Sequence, residues 1–333
     1  MIISTASGAT ISMTSRRHDL LDLVDRRRCD RVLFAPLADA LFAASLAGKA
    51  YITDTTLEDQ IAAAEAGGYH ALFVRGSAPE LVCNPALPVT TERLADVGRD
   101  RHFLQHLTTP LGRLTRTLVE QPEGGLTVTR DFVTEADQLD AIDALSREVA
   151  AGRHDQRIAD EWGPFLETAA RHGCSQVQIE LPWFLYGTGG FADFPILMHL
   201  TETARFARAM ALADEALDHL AQVLLRLGAD FLWMGASGTE LLSPDLYEQV
   251  IVPQARRLAD HIHGRGGRVH FHCCGQSRLW VERGFFDQVG CDVLETLSAP
   301  PSGNIADLAW ARRRISPQVV TKGNLDLALL RHG

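Results

Sequence analysis

The segment VHFHCCG, residues 269–275, holds the residue types in this sequence that are best suited to chemistry. It predicts a buried strand, along which side chains alternate between two faces. His270, His272 and Cys274 therefore share one face. An imidazole and a thiolate two residues apart can reach the same zinc ion, since zinc takes nitrogen and sulfur ligands. The alternative is that His272 and Cys274 are ordinary core residues, as most buried histidines and cysteines are.

A catalytic zinc site uses three protein ligands and keeps one position open, so a third ligand must come from another strand. Glu295, at the end of the next predicted strand CDVLET, is the nearest candidate. Glu180 ends the earlier strand QVQIELP, is more remote, and is assigned to substrate binding. His270, one step deeper on its strand, is assigned to substrate binding or to a hydrogen-bonded place in the core. Cys273 is expected to pack outward against a helix.

Aromatic residues near two predicted strand ends are candidates for the wall of a substrate pocket, and core packing is the alternative. They are Trp183, Phe184, Tyr186 and Trp233. The glycine-rich segment LYGTGGF, residues 185–191, follows the first of these strands. Because loops after barrel strands carry specificity, we expect this segment to be a mobile lid.

Strand patterns alternate with helical periodicity along the chain. The predicted strands cover residues 31–36, 70–74, 176–182, 230–235, 268–275, 291–296 and 318–324. This alternation predicts a parallel sheet, and the number of strands favours a (β/α)8 TIM barrel over a doubly wound sheet. Since Gly333 follows the last predicted strand so closely, we expect a barrel that lacks its eighth strand because the chain ends early.

A single barrel domain is predicted over residues 1–333, a normal length for this α/β fold. Residues 1–30 predict a polar leader followed by a short amphipathic helix. Alternating residues and turns between 89 and 133 predict a small antiparallel insertion.

Composition excludes several classes of protein. The net charge of −10 is spread along the chain and argues against nucleic-acid binding. Six cysteines in this length do not form a disulfide framework, which favours a reducing compartment. The sequence has neither an apolar run long enough to cross a bilayer nor a secretion signal, so we expect a cytoplasmic protein. A homodimer is the default for a soluble enzyme.

Three segments in this order resemble the uroporphyrinogen decarboxylase superfamily: residues 243–275, residues 292–315 and KGNLD at residues 322–326. The similarity extends from about Thr14 and is strongest from Gly228 onward. That superfamily includes cobalamin-dependent methyltransferases acting on thiols, and it is related to the barrel of cobalamin-independent methionine synthase. This chain is most similar to the methyltransferase branch.

The resemblance implies zinc at His272 and Cys274, because a His-x-Cys pair at this strand end binds zinc in the methyltransferases. The methionine synthase barrel adds a glutamate, which falls on Glu295 as third ligand or as a carboxylate exchanged for substrate. The implied reaction moves a methyl group between a corrinoid, carried by a partner protein, and a thiol or other small acceptor. Asn324 and Asp326 would position the substrate or the ligands, or form a turn with a helix cap.

Two departures from the family keep other functions open. The methyltransferases take their last cysteine ligand after the GN-[IV]-D motif, and the sequence ends before such a segment. The decarboxylase has an arginine-rich signature where this chain has residues 35–48, without an arginine. The alternatives are a metal-free decarboxylase-like lyase, in which His272 hydrogen-bonds an anionic substrate, and an inactive barrel that acts as a binding subunit.

Overall fold

The computed structural model describes residues 13–26, 32–36, 40–75, 84–122, 124–189, 193–236 and 241–323. Within them the strands are β1 (Leu72–Phe73), β2 (Val89–Arg93), β3 (Arg101–Thr109), β4 (Gly112–Glu120), β5 (Leu126–Arg130), β6 (Cys174–Glu180), β7 (Phe231–Gly235), β8 (Val269–Cys273), β9 (Val293–Thr296) and β10 (Val320–Lys322). They form a parallel sheet in the order β1-β6-β7-β8-β9-β10 and an antiparallel sheet in the order β2-β3-β4-β5. The chain is therefore an α/β protein, as predicted.

The helices alternate with the parallel strands. They are α1 (Met13–Val24), α2 (Ala40–Leu46), α3 (Leu57–Gly67), α4 (Leu139–Ala150), α5 (Asp155–His172), α6 (Asp193–Thr201), α7 (Thr203–Arg226), α8 (Pro244–Leu246), α9 (Val252–His263), α10 (Arg278–Glu282), α11 (Phe285–Gln288) and α12 (Leu308–Arg312). Their ends follow local chemistry: Ser243 Oγ accepts a hydrogen bond from Leu246 N at the start of α8, where Pro244 takes the first helical position. None of the helices in these described ranges is long and apolar enough to cross a membrane.

The parallel sheet is curled like part of a barrel, and its strands are largely buried. Five residues of β8 are buried in succession, which is typical of a parallel strand covered on both faces. Apolar faces of α4, α5, α7 and α9 join the same core. The described residues thus contain six parallel strands of a barrel-like α/β fold.

One predicted strand is not formed. Residues 32–36 carry no strand in the structure, although Phe34 O accepts a hydrogen bond from His70 N at 2.7 Å, next to β1. Val32 is 98% exposed and Phe34 is 54% exposed. The prediction of a buried strand over residues 31–36 is therefore wrong for the part that the structure describes, because no strand forms there and Val32 and Phe34 lie outside the core. Leu33 and Ala35 nevertheless pack against the small cluster that contains Leu20.

The antiparallel sheet confirms the predicted insertion, and it packs on α4 through buried side chains such as Leu107. Arg116 on β4 is fully buried and donates to Gln105 Oε1 at 2.7 and 2.9 Å. It also donates to Gly187 O at 3.3 Å. This guanidinium ties the insertion to the segment that follows β6.

Helix α1 closes the end of the sheet where the strands begin. Arg17 forms an ion pair of 2.5 Å with Asp230, at the start of β7. Arg268, just before β8, binds both oxygens of Asp25 at 2.6 Å. Leu20 and Val24 of α1 pack in a small cluster with strand residues. The short amphipathic helix predicted within residues 1–30 is therefore present under the sheet, from Met13 to Val24.

Candidate active site

Backbone register aligns a row of residues across the other end of the sheet, where the strands finish. Glu180 pairs with Gly235, Gly235 with His272, His272 with Glu295, and Glu295 with Lys322. Residues paired in parallel strands point to the same face of the sheet. The row therefore brings four ionisable side chains together, with a gap at the glycine.

Gly235 makes room for the carboxyl group of Glu180. A Cβ atom at this glycine would lie 2.7 Å from Glu180 Oε2, which is closer than carbon and oxygen can approach. Gln178 Nε2 donates to Glu180 Oε1 at 2.5 Å. Burial raises the pKa of Glu180, against the opposing effects of Gln178 and the nearby His272. The site thus favours the protonated, hydrogen-bond-donating form of this carboxyl group more than water does.

Glu295 is the centre of the row and is only 1% exposed. Its Oε1 lies 2.8 Å from His272 Nδ1 and 3.4 Å from Trp233 Nε1. Its Oε2 lies 2.5 Å from Lys322 Nζ and 3.2 Å from His270 Nε2. Burial alone would raise the pKa of Glu295, but the two histidines and the lysine outweigh it and hold that pKa well below its usual range. This carboxylate is therefore an anion surrounded by nitrogen atoms.

His272 is held between Glu295 and Cys274. Burial opposes its charged form, but hydrogen bonds with Cys274 and Glu295 raise the pKa of His272 to about 9. The Trp233 ring packs against the imidazole, with 4.8 Å between the ring centroids. A carboxylate bonded to one ring nitrogen commonly orients a metal-binding histidine. The structure thus shows a fixed imidazole next to a thiol at the end of β8.

His270 lies one step deeper and is fully buried. Its Nδ1 lies 2.6 Å from Gln176 Oε1. Burial lowers the pKa of His270, while Glu295 acts in the opposite direction. His270 therefore lies beneath the row, and no part of its side chain reaches solvent.

Three of the four predicted pocket aromatics, Trp183, Phe184 and Tyr186, lie in the core, which was the alternative for them. Trp183 packs against His199 and Phe206, with ring centroids 5.7 and 5.4 Å apart. Tyr186 is fully buried, and its hydroxyl donates to Ser146 Oγ at 2.6 Å. Of the aromatic residues assigned to substrate binding, Trp233 is the one that the structure brings to the row in its described part.

The remaining predicted positions divide between the core and the undescribed part of the chain. Cys273 is buried in the main apolar cluster, as expected for the face opposite His272. Asn324 and Asp326 lie outside the described residues, so their assigned roles stay predictions.

The segment predicted to be a mobile lid is anchored in its described part, residues 185–189. Leu185 is fully buried, and its carbonyl accepts from Thr188 Oγ1 at 2.6 Å. Thr188 O accepts from Val133 N at 2.7 Å, and Gly187 O accepts from Arg116. These bonds fix the segment to the insertion.

Sequence reasoning missed Lys322, Gln176 and Gln178. Lys322 lies near the end of the strand predicted over residues 318–324, as Glu295 lies near the end of its own, so the same rule would also have selected this lysine. The two glutamines alternate with apolar residues in β6, which is the pattern of a strand with one polar face. Neither residue type points to metal binding, and their roles became visible through their contacts with His270 and Glu180.

The donor atoms fit zinc in kind but form an incomplete set. His272 and Cys274 supply one nitrogen and one sulfur, both of which zinc prefers. Among the described residues, no group of three or more histidine, cysteine, aspartate or glutamate side chains is arranged to hold a metal ion. Glu295 is engaged with nitrogen atoms instead.

Fold and site together define an α/β protein with a curled parallel sheet and polar groups at its strand ends. Residues 184–333 match the family model for uroporphyrinogen decarboxylase, which confirms the resemblance to that superfamily. Among solved structures, a methyltransferase from Methanosarcina mazei is similar, with a TM-score of 0.61 and 13% sequence identity. The alignment covers 95% of this chain and 83% of that one, which shows a shared fold. No curated protein sequence matches the chain.

Proposed function

We propose that this chain is a zinc-dependent methyltransferase that moves a methyl group between a corrinoid, or another methyl donor, and a thiol or small acceptor. The observation that carries the proposal is the pairing of His272 with Cys274 at the end of β8, where Glu295 anchors the imidazole. The family match and the fold shared with a methyltransferase support it. We further propose that the parallel sheet belongs to a (β/α)8 barrel.

In this proposal His272 and Cys274 bind the metal, and Glu295 acts through His272. Zinc would hold the acceptor sulfur as a thiolate, the form that attacks a methyl group. Glu180, whose pKa burial raises, would donate a hydrogen bond to the acceptor. Trp233 packs against one side of the imidazole.

The partners follow from the proposed reaction. A corrinoid would be carried by a partner protein, as the resemblance to the methyltransferase branch implies. Asn324 and Asp326 would position the acceptor. A homodimer in the cytoplasm remains the expected state.

One observation favours the second candidate, a metal-free decarboxylase-like lyase. His272 and Lys322 place two cationic groups in one row with Glu295, and the described residues offer no three-ligand metal group. Such cations bind a substrate carboxylate directly. Metal analysis separates this lyase from the methyltransferase.

The test uses two neighbouring cysteines as a matched pair. The freshly purified full chain should contain about one zinc ion per chain. Cys274→Ser should abolish zinc binding and methyl transfer from methylcobalamin to a thiol. Cys273→Ser should keep zinc and lose about 1–3 kcal/mol of unfolding free energy, because it places a hydroxyl in the core.

Each result has a defined meaning. Zinc in the wild type that Cys274→Ser removes and Cys273→Ser retains supports the methyltransferase. Wild-type protein that takes up no zinc, even after incubation with the metal, rejects it. Decarboxylation of an acidic substrate by that metal-free protein would establish the lyase.

A further inference from the structure

We propose that the row at the strand ends binds a substrate with a primary amino group, and that Glu180 holds this group as an ammonium ion beside Trp233. The inference rests on the proposed function only in taking these strand ends as the substrate site, and it deepens that proposal by naming one group of the substrate. The contact involves no metal ion, so it applies to the methyltransferase and to the lyase alike.

Buried carboxylates in this chain are paired with cationic side chains. Four of them are buried among the described residues, and each lies within 3.7 Å of a nitrogen atom of an arginine or lysine side chain: Glu120 near Arg101, Asp143 near Arg208, Asp230 near Arg17 and Glu295 near Lys322. Such pairing offsets part of the cost of removing a charge from water. A carboxylate without a cationic partner is therefore an exception in this protein.

Glu180 is such an exception, at the end of β6, where it is only partly buried. Among the described residues its carboxyl group accepts one hydrogen bond, from the neutral amide of Gln178 to Oε1 at 2.5 Å, and it forms no ion pair. Burial raises the pKa of Glu180, and the nearby His272 opposes this effect. That imidazole, however, is already bonded to Glu295 and Cys274. Oε2 of Glu180 thus remains for a ligand.

Trp233 and the missing side chain of Gly235 shape the position next to Glu180. The point that a Cβ atom of Gly235 would occupy lies 2.7 Å from Glu180 Oε2 and 3.1 Å from Trp233 Cζ3. A carboxyl oxygen and an indole ring therefore approach the same point. A carboxylate attracts an ammonium ion through its charge, and an aromatic ring adds attraction where the cation lies over its face. The two groups together suit a cationic nitrogen.

The protonation state of Glu180 also fits an amine. In the free protein, burial favours the protonated carboxyl group, which donates a hydrogen bond. A neutral amine accepts this hydrogen bond and then the proton, so that the O–H bond of the carboxyl group breaks, an N–H bond forms and an ion pair results. An amine that arrives as ammonium forms the same pair, and the proton of Glu180 passes to water. In both cases Glu180 gains the cationic partner that the protein does not supply.

A ligand carboxylate is the competing choice, since a protonated Glu180 would donate a hydrogen bond to it as well. The lysine of the row is not free to bind such an anion, because Lys322 is 2.5 Å from Glu295 and only 12% exposed. The net charge of −10 also makes the field of the protein unfavourable to anions. These two observations favour the amine.

The test compares three sulfur-free probes with the same carbon chain: propylamine, propanol and propionate. Isothermal titration of the full chain, with EDTA in the buffer, measures their affinities without a contribution from a metal ion. Propylamine should bind at least about tenfold more tightly than the other two, because it alone forms an ion pair with Glu180. Glu180→Gln, which keeps the shape and removes the charge, should bind propylamine and propanol equally. Glu167→Gln is the matched control, because its carboxylate is 78% exposed on α5, and it should keep the preference of the wild type.

Three results would overturn the inference. Tighter binding of propionate than of propylamine would show that the site takes anions. A preference for propylamine that survives in Glu180→Gln would place the amine elsewhere. A wild type that binds propylamine no better than propanol, or not measurably, would show that Glu180 takes no cation. Circular dichroism checks folding, and Glu180→Met replaces the glutamine variant if that variant does not fold.

The zinc content of the same preparation keeps this inference separate from the proposed function. A chain that prefers propylamine but takes up no zinc supports the amine site and rejects the zinc-dependent methyltransferase. A chain that binds zinc without preferring propylamine does the reverse.

Discussion

The two ends of the parallel sheet both contain buried carboxylates paired with cations, but the partners differ. At the end where strands begin, Asp230 binds Arg17 and also accepts from Ser175 N at 2.9 Å. Asp292 there accepts from Val269 N at 2.7 Å. At the end where strands finish, Glu295 is bound by side chains alone.

Because their partners differ, the buried carboxylates at the two ends of the sheet are expected to have different roles. A carboxylate that accepts from the backbone is fixed by the fold itself, so its ion pair locks helices and strands together. A carboxylate held by imidazole, indole and ammonium groups can pass its effect to those side chains. The first end is thus expected to govern stability, and the second to govern ligand binding.

The largest effect on stability should come from removing Asp230, the carboxylate that accepts a hydrogen bond from the backbone. Asp230→Ala leaves Arg17 and the Ser175 amide without their partner and should lower the unfolding free energy by about 3 kcal/mol. Zinc content should not change. The control is Asp96→Ala, which removes an exposed ion pair with Arg93 and should cost about 0.5 kcal/mol or less. Urea denaturation measures both, and equal losses would contradict the comparison.

Neutralising the other carboxylate should act on metal binding first. Glu295→Gln removes the anion that orients His272 and should weaken zinc binding by about 10- to 100-fold. Isothermal titration with zinc provides the affinity. An unchanged affinity would show that the row has no bearing on the metal.

Filling the gap in the row should have a smaller effect. Gly235→Ala would push Glu180 out of place and should cost about 1–3 kcal/mol through overpacking, with a loss of methyl-transfer rate. Gly125→Ala is the matched control, because its added methyl group meets no atom within 4 Å and its φ is not in the left-handed region, and it should change the unfolding free energy by about 0.5 kcal/mol or less. Thermal melts and rates distinguish the two, and identical behaviour would mean that the gap is unimportant.

The smallest effect is a pH dependence of the unfolding free energy, which arises at the end of the sheet where the strands begin. The hydrogen bond to Asp292 is the main cause that raises the pKa of His263. Its stabilising contribution is therefore complete below the unfolded-state pKa of about 6.5 and is lost as pH rises through the folded-state value. His263→Gln should lose this part of the decline in unfolding free energy. Denaturation curves across that range test it, and parallel pH profiles of wild type and variant would refute it.

The sequence predicted the alternation of strands and helices well, because buried parallel strands such as β8 are apolar runs with clear boundaries. It failed for residues 31–36, whose composition matches a buried strand. Whether such a run is covered depends on the segments that fold over it, and Phe34 stays half exposed. The local sequence pattern does not show whether other segments will fold over such a run and bury it.

The sequence could predict that His272, Cys274 and Glu295 lie close together, since the ends of neighbouring strands meet at one edge of a parallel sheet. The pairing of Glu295 with Lys322 was not, because a lysine at a strand end is usually a solvated charge. Trp183 and Tyr186 face the helices because the chain turns sharply after β6, with positive φ angles at Leu185 and Tyr186. Residue spacing does not reveal the direction of such a turn.

X-ray absorption at the zinc edge of the loaded full chain measures whether Cys274 binds the metal. One zinc ion per chain with a protein sulfur among its ligands is expected, and Cys274→Ser should remove that sulfur signal. Zinc surrounded only by oxygen and nitrogen in the wild type, or a sulfur signal that persists in Cys274→Ser, would contradict it.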